Sequence, residues 1–228
     1  MKHAGKARRA ALKLIGTSFL LLLAIVGAGL IAKFFGNVVV AMTSVLVVIW
    51  LIFVGFTLYF FRDPCAKVPK DSNVIVAPAH GTVDFIDEAT IPEYAGEKCK
   101  RISIFLNVFN VHVQQSPVSG KVTYLKHTSG LFLNALKSES AHHNENVMMT
   151  FEPEGKPNEK IGIRLIAGLI ARRIIPWVAV GDTVAAGERI SLIQFGSRVD
   201  VYLPLGYEVI AKIGDKTIGG ETILARKK

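Results

Sequence analysis

The chain has 228 residues, half of them hydrophobic, and carries 27 Lys and Arg against 18 Asp and Glu for a formal charge of +9. That length holds one ordinary domain plus an attachment. Residues 1–62 contain seven bases and no acid, leaving 20 bases against 18 acids for everything after them, so the excess charge belongs to a membrane anchor and no nucleic-acid-binding face is expected.

Leu14 to Ala32 is uncharged and mostly apolar. As a helix it would extend about 28 Å, close to the hydrocarbon thickness of a bilayer. Val38 to Phe61 is a second such run, ending in Tyr59-Phe60-Phe61, a sequence suited to an interfacial aromatic belt. The intervening Lys33-Phe34-Phe35-Gly36-Asn37 has room only for a tight turn. A second span that follows at once, without a processing site, argues against a cleaved signal peptide. Five bases precede the first span, Arg62, Lys67 and Lys70 follow the second, and Lys33 alone lies in the turn. Both ends of this transmembrane hairpin are therefore expected on the cytoplasmic side of the inner membrane, with the following domain.

From Pro64 onward the pattern changes to short apolar runs separated by turn residues, predicting a mainly β domain over 63–228. Val74–Ala77, Arg101–Leu106, Val108–Val113 and Ile190–Phe195 read as strands, and Gly162–Val180 as a long strand-like passage broken at Pro176. Val199, Val201 and Leu203 alternate with Asp200 and Tyr202, the period of a half-buried strand. Two echoes stand out. Pro78-Ala79-His80-Gly81-Thr82-Val83 shares its Pro-x-x-Gly-x-Val spacing with Pro117-Val118-Ser119-Gly120-Lys121-Val122. Gly181-Asp182 with Gly187-Glu188 matches Gly214-Asp215 with Gly220-Glu221, as paired hairpin turns require. Such pairing resembles the barrel-sandwich layout of lipoyl and biotinyl carrier domains. No lysine sits at a hairpin tip to carry a prosthetic group, so the echo reads as scaffold. Cys65 and Cys99 have no metal-ligand spacing and read as free thiols.

Gly196-Ser197 interrupts an extended apolar run at one point. Glycine there can adopt backbone angles closed to other residues and hold the next carbonyl and hydroxyl in an unusual geometry; a β-bulge is the plainer reading. Phe195-Gly196-Ser197-Arg198 occurs together with Phe61-Arg62-Asp63-Pro64, Pro78-Ala79-His80-Gly81, Asn110-Val111-His112-Val113 and Ile166-Ala167-Gly168-Leu169-Ile170-Ala171-Arg172-Arg173. In this order and spacing they resemble the short-form phosphatidylserine decarboxylase proenzymes, and the resemblance runs from Phe61 to Tyr207 and includes the hydrophobic N-terminus.

The resemblance implies self-cleavage between Gly196 and Ser197, giving a large chain 1–196 and a small chain 197–228 whose first residue becomes a covalent pyruvoyl group. Serine is a weak nucleophile until a base takes its proton, and the family pattern points to His112 as that base. The pyruvoyl cofactor would form a Schiff base with the amine of phosphatidylserine in the membrane, accept electrons as carbon dioxide leaves, and yield phosphatidylethanolamine, with His112 as the acid. The family usually has aspartate, orienting the histidine during self-cleavage, where this chain has His80. The resemblance places His80 among the catalytic residues with Ser197, Gly196 and His112. It lacks a fixed negative charge, however, so cleavage is either independent of the carboxylate, slow or absent. Asp84, two alternations along, is the nearest candidate substitute.

For the substrate phosphate, Arg198 is favoured by adjacency over Arg172 and Arg173, which would point to opposite faces of a strand. No metal is expected: His142-His143 with Glu139 and Glu145 offers ligand types, but pyruvoyl chemistry needs none. Leu131–Leu136 reads as an apolar loop or short helix close to lipid, or as an ordinary surface loop. A homo-oligomer is compatible with the sequence. The competing readings are a pyruvoyl decarboxylase for another amino-acid phospholipid and a non-enzymatic, membrane-tethered barrel-sandwich adaptor.

Overall fold

The computed structural model describes residues 5–91, 98–133, 143–169, 171, 173–194 and 196–227. Asn134–Leu136, Glu139, His142, Ile170, Arg172 and Phe195 lie outside them. The chain divides into two compact units, Gly5–Asp63 and the part from Pro64 onward.

In the first unit α1 (Lys6–Ile31) and α2 (Asn37–Phe60) are joined by one 3-10 turn, Ala32–Phe35. Both helices are long and apolar enough to cross a bilayer. Their hydroxyls turn back on their own carbonyls: Thr43 Oγ1 donates to Val39 O at 2.8 Å and Thr57 Oγ1 to Phe53 O at 2.7 Å. Such back-bonding satisfies polar groups where lipid offers no partner. The helices meet through Trp50 Nε1, which donates to Ser18 Oγ at 3.1 Å, and through Gly29, where an added Cβ would stand 2.5 Å from Thr43 Oγ1.

The second unit is a mainly β domain. Its strands are β1 (Val74–Val76), β2 (Gly81–Thr90), β3 (Lys98–Leu106), β4 (Val113–Gln115), β5 (Gly120–Thr128), β6 (Asn146–Pro153) and β7 (Ile161–Ala167). They are followed by β8 (Arg173–Pro176), β9 (Thr183–Val184), β10 (Arg189–Gln194), β11 (Ser197–Pro204), β12 (Tyr207–Val209), β13 (Lys216–Thr217) and β14 (Ile223–Lys227). Eight of them form a curled half-barrel in the order β13-β2-β3-β11-β7-β6-β5-β9. Two three-stranded sheets, β1-β14-β12 and β4-β10-β8, complete the domain. The expectation of a β domain behind two apolar helices is borne out.

The core lies on one face of the half-barrel, where Ile102, Ile104, Ile163, Leu165, Val199 and Val201 are fully buried. The opposite face of β11 is also buried: Arg198, Asp200 and Tyr202 are each under 5 % exposed. The alternation in β11 therefore does not mark a half-buried strand. Its polar positions are covered because the sheet curls over them and the charges there compensate one another. Two other sequence readings are corrected. Residues 107–112 form a turn rather than a strand, held by Asn107 Oδ1 accepting from Phe109 N–H at 2.8 Å and Asn110 Oδ1 accepting from Asn107 N–H at 2.9 Å. The passage 162–180 is two strands in two different sheets, β7 and β8.

The sequence echoes are an internal two-fold repeat. Val122 N–H donates to Asp182 O at 2.8 Å and Val83 N–H to Asp215 O at 2.9 Å. Gly187 N–H donates to Ser116 O at 2.8 Å, and Gly220 N–H to Ala77 O at 2.7 Å. Asp182 Oδ2 caps Ala179 N–H at 2.9 Å, as Asp215 Oδ2 caps Lys212 N–H at 2.8 Å. The two turns pack back to back at Gly187 and Gly220, where a Cβ on Gly220 would lie 3.2 Å from the Gly187 Cα.

Candidate active site

β10 belongs to a three-stranded sheet and β11 to the half-barrel, so the chain changes sheets between Gln194 and Ser197. Gly196 makes that crossing with φ +77°, in the left-handed region. A Cβ there would meet nothing within 4 Å among the described residues, so glycine is needed for its backbone conformation. Ser197 opens β11, paired with Leu106 on β3 and Ala167 on β7. It is 1 % exposed, and its Oγ has no hydrogen-bond partner among the described residues. An unpartnered buried hydroxyl is costly, and such groups collect where chemistry needs them.

His112 stands at the end of the 107–112 turn and is fully buried. Its carbonyl accepts from Ile193 N–H at 3.1 Å and from Gln114 Nε2 at 2.7 Å, and Gln114 is held in turn by Ser191 Oγ at 2.8 Å. On the ring, Nδ1 lies 2.9 Å from Asn110 O. A carbonyl only accepts, so Nδ1 carries the proton and Nε2 presents a lone pair. That lone pair accepts from Gly196 N–H at 3.1 Å. On the other side of the same residue, Gly168 N–H donates to Gly196 O at 3.1 Å. Histidine and a backbone donor thus hold one residue, Gly196, at its N–H and at its carbonyl, beside the buried hydroxyl.

His80 Nδ1 accepts from Gly219 N–H at 3.2 Å. A Cβ on Gly219 would collide with Gln115 Oε1, so this contact packs the second repeat turn against β4, the strand that follows His112. Asp84, the candidate substitute for the family aspartate, is engaged elsewhere in this structure. It pairs with Arg198, whose Nη2 lies 3.3 Å from Asp84 Oδ1 and whose Nε lies 3.2 Å from Asp200 Oδ1. Burial, moderated by Arg198 and reinforced by Asp200, pushes the Asp84 carboxyl above its usual range. Arg198, expected at the substrate phosphate, is 4 % exposed and engaged by two carboxylates, an arrangement that anchors the start of β11. Burial and the neighbouring Asp200, whose Oδ2 is 3.4 Å away, push the Tyr202 hydroxyl far up.

Sequence reading did not single out Gly168 for a role. It lay inside a motif that carried the resemblance, but a backbone N–H leaves no side-chain signature.

Comparison with known proteins bears on this geometry. A family model described as phosphatidylserine decarboxylase matches residues 53–225. A phosphatidylserine decarboxylase proenzyme of Azorhizobium caulinodans is 42% identical over 215 residues, covering 92% of this chain and 86% of the relative. One of Desulfotalea psychrophila is 42% identical over 183 residues, covering 80% and 85% respectively. One of Symbiobacterium thermophilum is 39% identical over 171 residues, covering 75% and 79%. The β domain with its buried serine and histidine is that of an enzyme, a carboxy-lyase. The chain belongs to the phosphatidylserine decarboxylase family, as its motifs implied.

Proposed function

We propose that this chain cleaves itself between Gly196 and Ser197 and then decarboxylates phosphatidylserine to phosphatidylethanolamine at the cytoplasmic face of the inner membrane. The observation that carries the proposal is the hold on Gly196 at both of its backbone groups: His112 Nε2 at Gly196 N–H, Gly168 N–H at the scissile carbonyl Gly196 O, and the buried Ser197 hydroxyl next along.

The Ser197 Oγ bonds to the Gly196 carbonyl carbon as its proton passes to His112 Nε2, which exchanges the adjacent N–H for the hydroxyl. Negative charge gathers on Gly196 O, where the Gly168 N–H already stands. The Gly196–Ser197 C–N bond then breaks, the nitrogen takes the proton, and the amide has become an ester. Removal of the Ser197 α-proton expels Gly196 as a carboxylate and leaves dehydroalanine. Water adds, ammonia departs, and the small chain begins with a ketone.

The site suits a pyruvoyl group. Position 197 is buried, lacks a competing side-chain hydrogen bond among the described residues, and is paired on both sides by strands of the large chain, so the new terminus would stay in place. That group supplies an electrophilic carbonyl for the substrate amine and a sink for the electrons left as carbon dioxide departs. His112 carries the proton that completes the product, at Nε2. Arg198 with Asp84 and Asp200 positions the first residues of the small chain, and His80 braces β4 beside His112. The basic residues flanking the helices set the orientation of the anchor, which keeps the enzyme where its lipid substrate diffuses.

Denaturing electrophoresis with intact mass tests this. The expected result is two chains meeting at 196/197, a borohydride-reducible carbonyl on the smaller, and carbon dioxide released from phosphatidylserine. His112→Ala and Ser197→Ala should each give one uncut chain. A single wild-type chain with serine intact in active material would overturn the proposal.

A further inference from the structure

Ser197 opens β11 between the last paired residues of β3 and β7, so the N-terminal end of β11 and the C-terminal ends of those two neighbours lie at one end of the half-barrel. β6 starts and β5 finishes at that same end, because all these pairings are antiparallel. Three segments leading from these strand ends present large apolar side chains to solvent. After β3, Phe109 is 62 % exposed. After β7, Leu169 is 65 % exposed. After β5, Leu131, Phe132 and Leu133 are all exposed in succession.

These residues are fixed to the site's own backbone. Asn144 accepts from Leu133 N–H at 2.8 Å through Oδ1, and its Nδ2 donates to Ala167 O at 2.7 Å. Ala167 is the partner of Ser197, and the next residue's N–H holds Gly196 O. On the opposite flank, Asn110 O holds the His112 ring and Phe109 is its chain neighbour. The apolar side chains therefore border the buried serine on both sides. Exposed Lys126 on β5 and Arg173 at the start of β8 lie at the same end and suit anionic headgroups.

We propose that this end of the domain is a bilayer-docking surface, with Phe109, Leu131, Phe132, Leu133 and Leu169 entering the headgroup and upper acyl region around the mouth of the site. The inference rests on the decarboxylase reading for the choice of occupant, since that substrate is a bilayer lipid whose headgroup must reach a buried serine. Apolar side chains clustered on loops at a site's rim are costly in water and are favoured at a membrane interface. Seating the rim in the leaflet lets the headgroup enter while its acyl chains remain in lipid.

The test uses the full chain reconstituted in vesicles of phosphatidylglycerol and phosphatidylethanolamine without phosphatidylserine. In a Cys65→Ser background, where Cys99 is fully buried, single cysteines at 109, 131 and 169 carry an environment-sensitive fluorophore. A cysteine at exposed Leu205, past the far end of β11, is the control. Lipids spin-labelled on the acyl chain should quench the three rim positions several-fold more than position 205; equal quenching at all four overturns the proposal. Quenching does not depend on chain splitting or decarboxylation, so docking and the decarboxylase reading can fail separately. In a second arm, Phe132→Asp with Leu133→Asp and Leu169→Asp should leave chain splitting intact. It should lower turnover of phosphatidylserine in vesicles at least ten-fold and leave turnover of a short-chain analogue in detergent close to wild type. An equal fall in both assays, or none in either, overturns the proposal.

Discussion

His80 stands to Gly219 as Ser119 stands to Ala186. Each side chain follows the proline of a Pro-x-x-Gly turn by two residues, and each accepts a backbone N–H from the residue just before the central glycine of the partner turn. His80 Nδ1 takes Gly219 N–H at 3.2 Å and Ser119 Oγ takes Ala186 N–H at 2.9 Å. The position that departs from the family's usual aspartate thus has a structural duty as a hydrogen-bond acceptor. His80→Asn, which keeps an acceptor, should fold with near wild-type stability and split at a rate within about three-fold of it. His80→Ala should lose about 1–3 kcal/mol, the cost of leaving the buried Gly219 donor unmet, whereas Ser119→Ala, whose bond to Ala186 is exposed to water, should cost less. Urea midpoints and the time course of chain splitting measure both.

Gly196→Ala isolates the backbone contribution at the crossing. The added methyl meets nothing among the described residues, so its effect comes from forcing an L-residue to φ +77°. That costs about 1–2 kcal/mol. Relief of the strain would turn the peptide away from His112 Nε2 and Gly168 N–H. Splitting should slow well beyond what the loss of stability explains, as followed by electrophoresis at a temperature where the variant is fully folded.

Gly168→Pro removes the N–H that faces Gly196 O, while Gly168→Ala retains it. If that donor steadies the tetrahedral oxyanion, the proline variant should split roughly 10²–10³-fold more slowly. The alanine variant should stay near wild type. Equal rates in folded samples of both would remove the N–H from the mechanism. Circular dichroism of each variant checks the fold.

Motif order was enough to name the family, and apolar runs with turn spacing were enough to expect two helices and a β domain. The paired Gly-Asp and Gly-Glu steps announced turns, and their bonding shows them as symmetry mates; they are not hairpins, because β9 and β13 lie in a different sheet from the strands on either side of them. Other features were hidden for physical reasons. Asp200 and Tyr202 read as solvent-facing because alternation reports side-chain polarity, and it took Arg198 and the curl of the sheet to bury them. The carboxylate partners of Arg198 were not legible because one of them sits 114 positions away in the chain. Gly168 acts through its backbone, which every residue but proline offers equally.

The anchor makes its own prediction. Gly29 lets α1 approach α2 so closely that a Cβ would stand 2.5 Å from Thr43 Oγ1. Small residues at such crossings allow helices to pack in lipid, where hydrophobicity cannot drive them together. Gly29→Leu should separate the helices at that level and Gly29→Ala should do so less. Cysteine cross-linking between α1 and α2 at nearby positions should fall in that order, while chain splitting in the β domain should be unchanged.

The proposed cut leaves Glu159 on the large chain and Tyr207 and Lys227 on the small one, and these three are joined: Tyr207 OH donates to Glu159 Oε1 and Lys227 Nζ to Glu159 Oε2. Burial alone would push the Glu159 carboxyl up, but the bonds from Lys227 and Tyr207 outweigh it and hold the group below its ordinary value. Its charged form is therefore favoured by folding. The contribution is fully present above the ordinary glutamate range and is lost as pH falls through the lowered folded value. Glu159→Gln should destabilise the processed protein at pH 7 by about 1–3 kcal/mol, the scale for a charged hydrogen bond. The gap between variant and wild type should close as the solution is taken below pH 4. Urea unfolding at the two pH values, scored by release of the small chain, gives the comparison. A gap independent of pH would mean that Glu159 acts through shape and not through its charge.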